Sequence, residues 1–359
     1  MKNIFYCKST IQDRQEQRKP KEQIMATHSM PLLDENGFLT LPSYANGDLY
    51  EYNKQNIKCG LSRLKEWEFY QVFNDKWCLQ ATYGHTSYAG NVACTLIEFD
   101  KGTRHSVSVL KLFPKGTFDL DFTSGQPHNL HYQDDRISLD IVNVLNERSI
   151  SVTSNGANKG DARVNVRLTM SNLGDPMCYC MQFDDRMFYY NYKKIFPTVS
   201  GDIIVDGVDY PITPDTTAII DSGRGCWPYC HNWYWGMGQM KLNDGHALGM
   251  NIGLGNSDRS DTTENMLFYD GQLQKLGRVT IDADHSDYNK PWLILSQDGN
   301  MFAKLTPYYD NYTSTNLLLV HNRCHQVFGK LEGKVKLCDN QVIDLNGMNA
   351  FCEYANNRW

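Results

Sequence analysis

Apolar and polar residues alternate with a period of two along much of this 359-residue chain. In residues 163–170, Val164, Val166 and Leu168 fall on one side of an extended chain, and Arg163 and Arg167 fall on the other. The same alternation recurs in residues 77–83, 137–141 and 301–305. Because successive side chains of a strand point to opposite faces, the pattern predicts half-buried antiparallel strands. Residues 57–70 hold the one segment that we expect to form a short helix.

Turn signals separate these segments, as expected for β-hairpins. They are Asn36-Gly37, Asn46-Gly47, Asp206-Gly207, Asp244-Gly245, Asp270-Gly271 and Asp298-Gly299. Strands and turns together predict an all-β protein of sandwich or barrel type. The alternation is interrupted at residues 196–201, so we expect one unit at 32–198 and a second at 199–359. Residues 1–31 are predicted to be a disordered tail, with Met1 or Met25 as the native start.

Charge and composition exclude several classes of protein. The formal net charge of −6 argues against a nucleic-acid-binding surface, which needs clustered basic residues. No apolar run is long enough for a membrane-spanning helix, so we expect no integral membrane segment. Residues 1–23 lack the apolar stretch of a secretory signal. The eleven cysteines are therefore predicted to be mainly free thiols of a cytoplasmic protein.

The segment 221–238 is unusually rich in aromatic residues, with glycines on both sides and an Asp-x-x-Arg pair before it. Aromatic rings give a large contact area at low entropic cost, and a guanidinium can grip a carboxylate through two bonds. We expect a ligand site in which Asp221 acts as proton donor or base. Arg224 would hold a carboxylate in place or stabilise charge. The apolar wall would consist of Trp227, Tyr229, Trp233 and Trp235. The alternative is a buried strand with Asp221 and Arg224 as a structural ion pair.

Two further segments hold candidate site residues. Glu264 and Asn265 stand where a polar loop meets an apolar strand, and burial there would suit Glu264 to acid–base catalysis. His325 lies on a late strand and could face the same cavity. The alternatives are that Glu264 binds loop amides and that His325 is structural.

Signals for a metal or cofactor are weak. Potential ligands lie close together in two places, but no Cys-x-x-Cys pair accompanies them, and no Gly-x-Gly-x-x-Gly or Walker motif occurs. We therefore expect no bound metal and no cofactor. The two groups are Cys226, Cys230 and His231, and His321, Cys324 and His325.

From about Leu32 to Trp359 the chain resembles the domain-of-unknown-function family 2804 (DUF2804). That family has no settled activity, so the resemblance indicates a family but no reaction. The motifs that carry it are Lys65-Glu66-Trp67, Phe188-Tyr189-Tyr190-Asn191, Asp221-x-Gly-Arg-Gly225-x-Trp227, Trp233-Tyr234-Trp235-Gly236, Thr263-Glu264-Asn265, Tyr269-Asp270-Gly271, Pro291-Trp292 and His325-Gln326-Val327-Phe328-Gly329.

A second resemblance concerns His231-Asn232-Trp233, which is similar to the His-Asn-Trp-Gly stretch of carotenoid 1,2-hydratases. Here the glycine follows Trp235 rather than Trp233. Those proteins contain two lipocalin-like barrels, and their His and Trp line an apolar tunnel in which an acid protonates an alkene. The resemblance implies two tandem lipocalin-like antiparallel β-barrels for this chain, and a catalytic role for His231.

These observations lead to three functional hypotheses. The first is an enzyme that uses acid–base chemistry for hydration, cyclisation or isomerisation of a mostly apolar small molecule. The second is a non-catalytic lipid- or isoprenoid-binding protein, in which no unpaired acid would face the cavity. The third is a carbohydrate-binding protein with an open groove. The sequence leaves the oligomeric state unknown.

Overall fold

The computed structural model describes residues 23–255, 262–317 and 320–358, and strands make up most of them. Two short 3-10 helices lie at Lys54–Asn56 and Leu61–Arg63. The strands of the first half are β1 (Met30–Pro31), β2 (Ser43–Ala45), β3 (Tyr50–Glu51), β4 (Leu64–Phe73), β5 (Trp77–His85), β6 (Ala89–Glu98), β7 (Thr103–Leu112), β8 (His128–Gln133), β9 (Ser138–Val144), β10 (Glu147–Asn155), β11 (Arg163–Ser171), β12 (Met177–Asp184), β13 (Met187–Ile195), β14 (Thr198–Val205), β15 (Val208–Asp209) and β16 (Thr217–Cys226). Those of the second half are β17 (Cys230–Lys241), β18 (Ala247–Leu254), β19 (Met266–Tyr269), β20 (Gln272–Lys275), β21 (Val279–Asp282), β22 (Trp292–Ser296), β23 (Met301–Leu317), β24 (Val320–Lys336), β25 (Val342–Asp344) and β26 (Met348–Arg358).

Two antiparallel sheets form the first barrel, which spans residues 43–226. Eight strands run in the order β2-β12-β13-β16-β4-β5-β6-β7, and six run in the order β15-β14-β11-β10-β9-β8. The alternating residues Val164, Val166 and Leu168 are buried in the core between these sheets, while their polar neighbours are exposed. The alternation predicted from the sequence is confirmed here.

One antiparallel sheet forms the second barrel, which spans residues 230–358. Its strands run in the order β20-β19-β18-β17-β26-β24-β23-β22-β21, and β25 pairs with β24. Ile252, Leu267, Ile294 and Leu305 come from strands spread across this sheet and share one core, so the sheet is strongly curled. Residues 270 and 271 both have positive φ in the turn between β19 and β20, as the Asp-Gly signal predicts.

The two barrels pack against each other through an apolar layer on their outer faces. Ile219 of β16, Met237 of β17 and Phe351 of β26 belong to this layer. Strands that contribute to it are buried on both faces, as in β16, where nine of ten residues are buried. Such strands show no period-two alternation, because neither face meets water.

The boundary expected at residues 198 and 199 does not separate the sheets. Strands β14 and β16 follow it, yet β14 pairs with β11, and β16 pairs with β4 and β13. The interruption at residues 196–201 covers the two-residue connection between β13 and β14 and the first four residues of β14. The change from one barrel to the other occurs between β16 and β17, at residues 227–229.

The expected disordered tail lies partly outside the described residues, which begin at residue 23. Residues 23–31 are ordered: the side chain of Gln23 accepts a hydrogen bond from the Thr263 amide, and Met30 pairs with Tyr50. The described residues also contain no helix long and apolar enough to cross a membrane.

The short helix expected at residues 57–70 is limited to the 3-10 helix at Leu61–Arg63, because residues 64–73 form β4. Most of the described cysteines are free thiols, as expected, with one exception. Cys59 and Cys226 form a disulfide that joins the segment before β4 to the end of β16. The other eight described cysteines are free, and Cys7 lies outside the described residues.

Candidate functional site

A cavity of about 390 Å³ lies between the two barrels, on the outer faces of their sheets. The first barrel contributes residues of β4, β5, β13 and β16, and the second contributes residues of β17, β23, β24 and β26. Aromatic side chains form much of its wall, which suits a largely apolar ligand. These side chains are Trp67, Phe69, Tyr189, Trp227, Trp233 and Trp235.

One end of the cavity holds a buried ammonium between two carboxylates. Lys193 Nζ lies 2.9 Å from Glu264 Oε2 and 3.4 Å from Asp221 Oδ1. Burial by itself would lower the pKa of Lys193, but the two carboxylates outweigh burial and raise it. The lysine is therefore charged, and this trio carries a net charge of −1 when both carboxyls are ionised.

Neighbouring side chains hold these carboxylates in place. Asp221 accepts hydrogen bonds from Trp67 Nε1 at 2.9 Å and from Asn191 Nδ2 at 2.7 Å. Glu264 accepts one from Asn251 Nδ2 at 3.0 Å, and Asn251 in turn accepts one from Trp235 Nε1 at 2.8 Å. The indole groups of Trp67 and Trp235 thus orient charged residues and also form part of the cavity wall.

A third carboxyl, that of Glu353 on β26, faces the same cavity. It accepts hydrogen bonds from Trp233 Nε1 at 2.9 Å and from Cys324 Sγ at 3.8 Å. Burial raises the pKa of Glu353 to about 7, and the charge of Asp221 adds to this, while Trp233 and Lys193 oppose it. A carboxyl with this pKa can both donate and accept a proton near neutral pH.

Five of the predicted site residues line this cavity and five do not. Those in the lining are Asp221, Glu264, Trp227, Trp233 and Trp235. The residues outside the lining are Arg224, Tyr229, His231, Asn265 and His325.

Arg224 is the main correction. It lies three positions after Asp221 on one strand, so the two side chains lie on opposite faces of β16. Its guanidinium is buried inside the first barrel, where it donates to Glu68 Oε1 and to the Trp67 carbonyl, both at 2.9 Å. Gly223 makes room for the Trp67 ring, since a Cβ there would lie 2.1 Å from Cζ2 of that indole. The Gly-Arg-Gly motif therefore serves packing between strands.

The other four residues lie outside the lining, although His231 packs directly against a residue of the cavity wall. The His231 ring packs beside Phe183 and Trp227, the Tyr229 ring lies below the Arg63 guanidinium, and the Asn265 amide joins Gly253 N to the Gly277 carbonyl. His325 lies on the face of β24 away from the cavity, where it pairs with Asp310 at 2.7 Å and stacks on Tyr288.

Sequence reasoning missed Lys193, Glu353 and Trp67 as site residues. Each belongs to a strand that is buried along most of its length. For Lys193 and Glu353, an ionisable side chain in such a strand is the signal that could have indicated a site residue. Glu353 is the single ionisable carboxyl in the run Phe351-Cys-Glu-Tyr-Ala355, and Lys193 follows four aromatic or amide residues.

One cluster of potential metal ligands occurs among the described residues, formed by Glu66, His85 and Asp119. The ammonium of Lys54 lies between two of its carboxylates, 3.0 Å from Glu66 Oε2 and 2.9 Å from Asp119 Oδ1. A lysine in this place supplies the positive charge that a cation would bring, so the cluster fits an ion-pair network.

The chain belongs to the family described as "Domain of unknown function (DUF2804)", which matches residues 22–359. No curated protein sequence matches it.

Several solved structures are similar to this chain. CghA, in its structure with Sch210972, has a TM-score of 0.50 at 11% identity, with 94% of this chain and 97% of that chain covered. Kievitone hydratase from Nectria haematococca has a TM-score of 0.49 at 13% identity, covering 88% and 96%. A putative AttH from Nitrosomonas europaea has a TM-score of 0.45 at 16% identity, covering 85% and 95%. The chain thus has the all-β fold of two lipocalin-like barrels that the sequence predicted.

Proposed function

We propose that this DUF2804 protein binds a mostly apolar small molecule between its barrels and catalyses proton transfer on it, with Glu353 as the acid–base group. The observation that carries the proposal is the position of this carboxyl. It faces an aromatic-walled cavity and, within the described part of the chain, has no cationic side chain within salt-bridge distance. A carrier protein would have no use for such an acid, whose burial costs stability.

The charge of the cavity favours one kind of intermediate. Asp221, Lys193 and Glu264 together carry a net charge of −1 when both carboxyls are ionised, and the π faces of Trp67 and Trp233 also attract cations. A cation formed on the ligand would be stabilised here, whereas an enolate would be repelled. The geometry therefore supports protonation of a carbon–carbon double bond.

In this step the protonated Glu353 gives its proton to one alkene carbon, a C–H bond forms, and the carboxylate remains. The neighbouring carbon becomes cationic. Loss of a proton from the ligand to Glu353 would give an isomer. Attack by a second double bond would form a ring and move the cation to a ring carbon, and loss of a neighbouring proton to Glu353 would then give a cyclic alkene. Addition of water with loss of its proton would give an alcohol. All three outcomes restore the protonated acid.

Deuterium incorporation tests the proposal. Geraniol and farnesol, as apolar alkene probes, would be incubated with the protein in D₂O and examined by mass spectrometry, while binding is followed by tryptophan fluorescence. The wild type should incorporate deuterium, and Glu353→Gln should bind the probes without incorporating it. The control Glu332→Gln alters an exposed glutamate on β24 and should behave as wild type.

Binding of both probes without incorporation by the wild type would contradict catalysis on them and would favour the lipid- or isoprenoid-binding protein. If neither geraniol nor farnesol binds, the result would count against an apolar ligand. The carbohydrate-binding hypothesis would then remain.

A further inference from the structure

The cavity has two chemically different ends, and the strand register fixes their order. Across the second barrel, Trp235, Glu353, Gln326 and Asn311 are successive cross-strand neighbours on β17, β26, β24 and β23. All four line the cavity. Within two strand spacings, the side chains therefore change from the carboxyl of Glu353 to the neutral amides of Gln326 and Asn311.

The facing sheet of the first barrel shows the same order. Lys193, Asp221, Phe69 and Thr82 are successive neighbours on β13, β16, β4 and β5, and they also line the cavity. Both walls thus present carboxyl groups at one end and uncharged hydrogen-bonding groups at the other, and on the first barrel the ring of Phe69 lies between them.

Carboxamides join the two barrels at the neutral end. Gln80 Nε2 donates to Gln326 Oε1 at 2.7 Å and to Gln71 Oε1 at 3.0 Å, and Asn311 Nδ2 lies 3.4 Å from Gln326 Oε1. Gln71, Gln326 and Asn311 are buried. Nε2 of Gln71 has no hydrogen-bond acceptor in the described part of the chain. Gln71 does not line the cavity, so a ligand there would reach only the amides of Gln80, Gln326 and Asn311.

We infer that the ligand carries an uncharged hydrogen-bonding group, such as an amide, carbonyl or hydroxyl, which binds among Gln80, Gln326 and Asn311. Neighbouring strands lie about 4.8 Å apart, so this group would be roughly 5–10 Å from the atom that Glu353 protonates. The ligand would then be amphipathic, with its apolar body against the tryptophans. This inference rests on the proposed function, since it assumes that the ligand also reaches Glu353.

An uncharged group is favoured because the buried amides offer no countercharge. Arg104 also lines the cavity, but its side chain is exposed at the rim, where a carboxylate would remain hydrated. Burying a charge without a close partner costs far more than burying a hydrogen-bonded amide.

Three probes with the same aromatic body test the inference: 2-naphthylacetamide, 2-ethylnaphthalene and 2-naphthylacetate. Their dissociation constants would be measured by equilibrium dialysis. An apolar cavity alone would prefer the hydrocarbon. We expect the amide to bind about tenfold more tightly than either of the others, as one or two neutral hydrogen bonds would give.

The variant Gln80→Met/Gln326→Met keeps side-chain length and removes the amides. It should bind the amide no more tightly than the hydrocarbon, while Gln133→Met, at an exposed glutamine on β8, should keep the preference. The comparison of probes on the wild type is decisive even if the double variant does not fold.

Equal affinity of the wild type for amide and hydrocarbon would overturn this inference and leave the proposed function standing. Equal affinity of the wild type for 2-naphthylacetamide and 2-naphthylacetate would overturn the claim that the hydrogen-bonding group of the ligand is uncharged. Absence of binding by all three probes would overturn both this inference and the proposed apolar cavity.

Discussion

Arg224 and Glu68 form an ion pair of 2.9 Å inside the first barrel, with both side chains fully buried. Arg148 approaches the same carboxylate at 3.6 Å, and Ser222 Oγ donates to it at 2.5 Å. Although burial alone would raise it, the two guanidinium groups hold the pKa of Glu68 below its ordinary value. The barrel interior near this pair is therefore a charged network, on the side of β16 away from the cavity.

Arg224→Met should destabilise the protein by about 3–5 kcal/mol, because it leaves a buried carboxylate without its nearer guanidinium partner. Chemical denaturation at pH 7 measures this free energy of unfolding. The control Arg323→Met removes an exposed arginine and should change it little. Loss of probe binding by folded Arg224→Met at unchanged stability would contradict the structural role.

Glu353→Gln should stabilise the protein at pH 8 and leave its stability nearly unchanged at pH 4. The folded-state pKa of Glu353 is raised to about 7 from an ordinary 4.5, so the folded state holds the proton more tightly than the unfolded state. Stability then falls as pH rises from about 4.5 to 7 and stays low above this, by roughly 3 kcal/mol at most. The amide variant avoids this loss.

Thermal unfolding of both proteins at pH 4, 6 and 8 measures the effect. Glu332→Gln, at an exposed position, serves as the matched control and should show no such pH-dependent difference. Parallel pH profiles for the wild type and Glu353→Gln would show that Glu353 titrates normally, and would remove the main support for its catalytic role.

Local patterns were sufficient to predict the half-buried strands. Alternation at Val164, Val166 and Leu168 and the turn at Asp270-Gly271 are consequences of strand geometry and backbone dihedrals, which act within a few residues. The pattern at residues 57–70 suggested a helix, rather than the start of β4, for a related reason. Strand β4 is buried on one side by the barrel core and on the other by the cavity, so its charged and aromatic residues do not alternate.

The aromatic cavity wall was also accessible from the sequence, since Trp227, Trp233 and Trp235 lie in one conspicuous segment. The partners of the charged residues were not. Asp221 pairs with Lys193 across two strands, and Arg224 pairs with Glu68, a residue 156 positions away. Only the sheet register brings such residues together, and proximity in the sequence wrongly suggested that Asp221 and Arg224 belong to one site.

Lys193 and Glu264 should be strongly coupled in stability. Lys193→Met leaves Glu264 and Asp221 buried beside each other without a cation, and should cost about 3–5 kcal/mol. Glu264→Gln leaves Lys193 with Asp221 and should cost less. In a double-mutant cycle, the combined variant should be more stable than the sum of the single effects indicates. Additive effects would show that the 2.9 Å contact contributes little.

The last prediction concerns the disulfide between Cys59 and Cys226, which lies next to Trp227 of the cavity wall. Protein purified without reductant should show nine titratable thiols after denaturation, which is eleven cysteines less the two that are bonded. The bond closes a loop with a sequence separation of 167 residues, so reduction should lower stability by roughly 2–5 kcal/mol. Cys59→Ser/Cys226→Ser should melt at the same temperature with and without reductant, whereas Cys338→Ser, at an exposed free thiol, should keep the wild-type difference. Eleven titratable thiols in the unreduced protein would instead support the cytoplasmic location predicted from the sequence and show that these two sulfurs are thiols in the isolated protein.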